Sequence, residues 1–351
     1  MPRRSYISSF KRLPWAVIIA FLLMVLGQNL AFNSKAFWAY FYRNSSPRTD
    51  DAFRFEAVAR NSRRGAGFFF LGASQARENV DTRMLKREFG SEGIRFYNLG
   101  ISNAHAMDLY MTIDRVLDAR PTHIVLISDL NMISSRYMYP KLRPYFNHDA
   151  IPAIVSHLGF REVWRERVEF LHSFLGEMFP FYRFRESIGR ILKDEVSISV
   201  GASKRKPFLR FAYSKRMNTF DEKILNERLA EQKQGRGARP EEVSMNEWMF
   251  ESCVKKITEL GIPLLVVDAP YYPGVKEGYF SKLFAPYHSF MILLSERYGF
   301  PYFSDADLNF LEREDFVDHT HLTRSGRIKF TKFISELIRG QKWFVPQIGG
   351  L

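Results

Sequence analysis

Residues 67–75 read GFFFLGASQ, and this stretch sets the fold. Four apolar residues in a row between glycines are too short for a buried helix. They suit a strand covered on both faces. Polar residues with helical spacing follow at once, so the chain leaves the strand through Ser74 into a helix. Serine is a favoured first residue at such a place. It is also where a strand end can present a nucleophile.

Working outward, the same alternation repeats. IRFYNLG (94–100), THIVLISDLN (122–131), IPLLVVDAP (262–270) and FPYFSD (300–305) read as four further strands. VDTRMLKREFG, NAHAMDLYMTIDRVLDARP and RSGRIKFTKFISELIRG have helical spacing. Glycine or proline stops the first two. Alternating strands and helices predict a three-layer α/β/α domain around a mainly parallel five-stranded sheet. The segment between the third and fourth strands has helical periodicity over 151–179 and 181–196. It is expected to be a mostly helical insertion, overhanging the carboxyl edge as a lid.

The N-terminus points to a membrane. Residues 1–12 carry four basic residues and no acid, and 13–32 are mainly apolar up to Gly27. A cleaved signal peptide has a shorter apolar region and a small-residue cleavage site, and none follows here. The expectation is an uncleaved single-pass anchor, with a cytoplasmic N-terminus and the rest of the chain periplasmic or otherwise extracytoplasmic. Trp15 and Trp38 would mark its two interfaces. The divisions are thus 1–12 basic flank, 13–32 anchor, 33–65 membrane-proximal linker, 66–136 first part of the α/β domain, 137–245 helical insertion, and 246–345 second part.

The net charge of +13 has one source in that flank and another in a basic stretch at 203–240. In an extracytoplasmic protein this suits anionic lipid headgroups or acidic polymers rather than nucleic acid. The single cysteine, Cys253, lies in an amphipathic stretch and reads as a buried structural thiol. Neither a metal nor a cofactor is expected.

Chemistry collects at the predicted carboxyl strand ends: Ser74 after the first, Gly100 and Asn103 after the second, Asp129 and Asn131 after the third. DFVDHTHLTRSG precedes the last helix, and there Asp318 and His321 stand three apart. In a turn that spacing lets the carboxylate orient its neighbour's imidazole. The imidazole is then free to take a proton from Ser74. The N–H groups of Ser74 and Gly100 and the amide of Asn131 are candidate oxyanion donors. Asp129, Asn103 and His319 are candidate supporting groups. His105 reads as a surface or supporting group.

This ordered set resembles the SGNH/GDSL hydrolase superfamily. LGASQ resembles its first block, NLGIS its second, SDLN its third, and DHTHL its last. The resemblance covers roughly 66–136 and 260–340. It departs in having Ala73 for the usual Asp and SDLN for the usual Gly-x-Asn-Asp. It implies a flavodoxin-like fold with Ser74, Asp318 and His321 as a triad and Ser74, Gly100 and Asn131 as oxyanion donors. The anchor and insertion are similar to the D-alanyl transfer protein of teichoic acid synthesis and to alginate O-acetylation proteins. That implies a serine esterase or O-acyltransferase acting on an acylated envelope polysaccharide or related polymer beside a membrane-bound O-acyltransferase. The other expectation is a catalytically silent scaffold holding such a partner or polymer.

Overall fold

A computed structural model describes residues 13–44, 51–62, 67–90, 93–134, 150–165, 167–185, 188–189, 193, 220–223, 225–227, 239–276 and 281–341. The basic flank 1–12 lies outside them, and so does most of the basic stretch 203–240. Three helices come first: α1 (Leu13–Asn33), α2 (Lys35–Asn44) and α3 (Asp51–Asn61). The α/β frame starts with β1 (Gly67–Gly72), α4 (Ser74–Asn79), α5 (Thr82–Glu88), β2 (Arg95–Asn98), α6 (Ala106–Asp118), β3 (His123–Ser128) and α7 (Leu130–Ser134). The insertion contributes α8 (Ala150–Leu158), α9 (Phe160–Arg165), α10 (Arg167–Met178) and α11 (Pro180–Arg183). The frame resumes with α12 (Pro240–Glu259), β4 (Leu264–Asp268), α13 (Pro273–Lys276), α14 (Ser281–Tyr298), β5 (Tyr302–Phe303) and α15 (Arg324–Gly340).

All five strands are parallel, in the order β2-β1-β3-β4-β5. Every residue of β1 is buried, as a central strand covered on both faces requires. One group of helices links α4, α5 and α15; another links α6, α7, α12 and α14. The grouping is consistent with three layers. The chain leaves β1 toward β2 and returns to β3 on the other side. The β1/β3 boundary is therefore the topological switch point, where open sheets of this order bind ligands.

The element limits differ modestly from those expected. The return to the frame begins at Pro240, inside the range assigned to the insertion. Proline fits the first turn of a helix, where its missing N–H costs nothing. The described part of the insertion packs on α12 and α1. Cys253 is fully buried, and burial pushes its thiol up and keeps it protonated.

Described residues of the 33–65 segment pack into the frame. Phe55 and Trp38 are buried in the common core. Trp38 is thus not at a lipid interface: its indole Nε1–H donates to the Phe32 carbonyl at 2.6 Å. Arg60 donates to the same carbonyl at 2.8 Å. Arg60 also pairs with Glu56, whose carboxylate takes a two-pronged pair from Arg115 of α6 at 2.8 Å each. The end of α1 is therefore tied to the α/β frame through a buried carboxylate. Among the described residues no helix is long and apolar enough to cross a membrane. Several side chains in the first turn of α1 lie outside them.

Candidate active site

The path from β1 to Ser74 depends on Gly72. Its φ of +137° is open to glycine and strained for other residues, and a Cβ there would lie 2.4 Å from the Ile127 carbonyl. Ala73 is extended (φ −81°, ψ −156°), and Ser74 opens α4. The serine is half-buried at the sheet's carboxyl edge.

The opposite wall is a tight loop closed by an antiparallel bridge, Phe316 to Leu322. Asp318 Oδ1 accepts from the Thr320 and His321 N–H groups at 3.0 and 2.8 Å, which fixes the turn. The same carboxylate meets His321 Nδ1 at 2.8 Å through Oδ2. Nδ1 then carries the proton, leaving the Nε2 lone pair toward Ser74 Oγ at 2.9 Å. Serine, histidine and aspartate thus form one continuous relay.

Burial alone disfavours both charges, but the two groups stabilise each other. The Asp318 carboxyl ends below the usual carboxylate range, lowered by the hydrogen bond and charge of His321 with help from His319 and the Thr320 N–H. Burial pushes His321 down, yet Asp318, Glu78 and Asp129 more than offset it, and its net shift is upward. Glu78 reaches within 4.0 Å of Nε2 and also pairs with Arg77 at 2.6 Å. A base must be neutral to accept a proton. The acid limb of kcat/KM is therefore expected above the usual imidazole value of about 6.5. Glu78→Gln removes one of the charges holding it there. A pH–rate profile should show that limb displaced to lower pH; an unmoved limb counts against His321 as the titrating base.

The other expected residues are placed variously. The Gly100 N–H donates to Asn98 Oδ1 at 3.0 Å, so it is not free for an oxyanion. The need for glycine has a different origin: a Cβ would meet Arg77 N at 2.4 Å and Ala73 O at 3.0 Å. Asp129 is buried and accepts from Tyr271 OH and, at 2.8 Å, from the Asn131 N–H. It shapes the turn after β3. Asn131 itself is half-buried one strand from Ser74. Asn103 is an exposed left-handed turn residue (φ 54°), with no hydrogen bond to the triad among the described residues. His319 Nδ1 lies 3.9 Å from Asp318 Oδ1, and its carbonyl accepts from Tyr272 N–H. His105 is buried rather than at the surface, at the start of α6.

Two buried amides that sequence reasoning missed hold the site together. Asn79, fully buried at the end of α4, donates to the Thr320 carbonyl at 2.8 Å and accepts from the Leu322 N–H at 3.0 Å. It brackets His321 on both sides. Asn98 donates to Ala76 O at 2.7 Å and so links the β2 exit to the same helix. Asn79→Ala leaves a buried carbonyl and a buried N–H unpaired, at a cost of about 2 kcal/mol or more. The expected result is a lower unfolding midpoint together with a fall in kcat. Unchanged kcat would show that His321 is positioned without Asn79.

Asp268, His288 and Asp305 form the one group among the described residues able to hold a metal, with donor atoms within 4.8 Å of each other. His288 Nε2 lies 3.3 and 3.1 Å from the two carboxylates, which hold its imidazole up at about 9.

A scan against protein-family models returns no match for this chain, and no curated protein matches it.

Proposed function

We propose that this chain is a membrane-anchored serine acyl esterase or O-acyltransferase of SGNH type, acting outside the cytoplasm on ester-linked acyl groups of an envelope polysaccharide or related polymer. The observation that carries the reading is the relay Asp318–His321–Ser74, with links of 2.8 and 2.9 Å, at the switch point of a 2-1-3-4-5 sheet.

The residues divide the work as follows. Ser74 Oγ attacks the acyl carbonyl carbon while its proton passes to His321 Nε2. Asp318 holds the tautomer and stabilises the imidazolium. Collapse of the tetrahedral species returns the proton to the leaving alkoxide and leaves an acyl-serine. Water or a sugar hydroxyl then repeats the sequence in reverse. Ser74 opens a helix, so its N–H has no partner within that helix and can face the oxyanion. Asn131, half-buried at the end of the neighbouring strand, is the proposed side-chain donor.

The anchor has its own support. Val17, Leu22, Leu23, Met24, Leu26 and Leu30 of α1 are all exposed. A helix apolar on every side is at home in lipid rather than water. A membrane-bound acyltransferase would be a natural partner in this setting. A second reading, a silent scaffold, draws on Gly100, whose N–H is already taken by Asn98.

The two readings separate with a fluorophosphonate probe on the detergent-purified full chain. Peptide mapping should find the adduct on Ser74. An intact protein with no adduct favours the scaffold. Adding an acylated polysaccharide and following acyl movement to a second sugar distinguishes transfer from hydrolysis.

A further inference from the structure

The insertion carries an apolar face that nothing in the proposed chemistry uses. Phe160, Trp164, Val168, Leu171 and Phe174 recur at steps of four, four, three and three along α9 and α10, and Phe181 continues them in α11. All are exposed, from 65% at Phe160 to 40% at Phe181. An exposed apolar stripe of this length marks a binding face.

Its surroundings identify the occupant. The turn between α10 and α11 lies against the apolar helix α1: the Phe179 ring meets Phe21 edge-on at 5.7 Å. Phe181 meets Phe32 at 5.0 Å, and Phe184 stacks on the same ring at 5.5 Å. The Phe181 N–H donates to Gln28 Oε1 at 3.3 Å. These contacts run from residue 21 to residue 32 of α1, about 16 Å along a helix. The Phe181 end of the stripe thus lies against α1. Exposed arginines accompany it: Arg161, Arg165, Arg167 and Arg185. Arg167 lies over the Trp164 ring at 4.9 Å and Arg185 over Tyr182 at 4.1 Å. Aromatic rings with guanidinium groups beside them suit the level of lipid headgroups, where the ring enters the acyl boundary and the cation meets phosphate.

We infer that α9–α11 form an interfacial hairpin seated in the bilayer leaflet that faces the α/β domain, beside α1 and bound to phospholipid. The inference rests on α1 being an anchor, so the experiment interrogates both. Single cysteines replace Trp164, Leu171, Phe174, Leu23 or Leu260 in the full chain. The native Cys253 is fully buried and is left in place. Each variant carries an environment-sensitive fluorophore and is reconstituted in nanodiscs containing phosphatidylglycerol. Quenching by nitroxide lipid is compared with quenching by iodide, after a cooperative melt like that of wild type shows each variant folded.

The expected result is lipid-to-iodide quenching roughly threefold or more higher at 164, 171 and 174 than at 260, the exposed reference. If position 23 is quenched by lipid but 164, 171 and 174 match position 260, the anchor stands and the hairpin inference is wrong; the face then belongs to a protein partner. If position 23 is quenched by iodide, the anchor fails and the inference falls with it. Repeating the series in neutral phosphatidylcholine isolates the arginine contribution. A ratio lower there than in phosphatidylglycerol supports headgroup contact, and an equal ratio removes it.

Discussion

Ser74→Ala is expected to lower turnover of a short ester by roughly ten-thousand-fold or more, with the unfolding midpoint staying near that of wild type. The magnitude follows from the relay. Without Oγ there is no covalent intermediate, and His321 can only orient water from a distance set for serine. The fold is spared because, among the described residues, Ser74 Oγ bonds only His321 Nε2 and, weakly at 3.4 Å, Gln75 Oε1, and alanine suits the start of a helix. His321→Ala is expected to cost a similar amount, and the double variant little more than either alone. Groups that act as a unit lose their whole effect at the first removal. Additive losses, or residual turnover within tenfold of wild type, would place the reaction elsewhere in the molecule.

Gly100→Ala is expected to be strongly destabilising, at about 3 kcal/mol or more. The new Cβ would sit 2.4 Å from Arg77 N, 2.9 Å from Arg77 Cα and 3.0 Å from Ala73 O. All three are backbone atoms of the turn and helix that present Ser74, so no side chain can swing away. Either α4 moves or the β2 exit does. The first displaces Oγ from His321; the second breaks the Asn98 bridge. Thermal unfolding and phosphonate labelling of one sample should therefore fall together. A stable protein that labels at the wild-type rate would show that α4 tolerates the shift.

Most of the frame was legible because buried parallel strands leave uninterrupted apolar runs such as Phe68–Phe69–Phe70 and Ile124–Val125–Leu126–Ile127. The relay was legible because Asp318 and His321 are close in sequence and serine stands at a strand end. The supporting amides were not. Nothing in an isolated Asn79 shows that it meets Thr320 and Leu322 from the far end of the chain. Gly100 shows how a correct signal can be assigned the wrong cause. Glycine does mark a close backbone approach, but here the approaching group is Arg77 of the same protein. The core role of Trp38 was hidden likewise: an aromatic beyond an apolar helix fits a lipid interface and a protein core equally well.

The Glu56 tie has a consequence for how an anchored enzyme would search. A catalytic domain on a slack leash sweeps a hemisphere and samples esters at any distance within reach. Here the stalk is bolted: the Phe32 carbonyl takes two donors, and Glu56 locks Arg60 to Arg115 across to α6. With α1 in the bilayer, Ser74 rides at one altitude and one bearing. Acyl groups on a polymer strand would be sorted by their height above the membrane before any pocket inspects them.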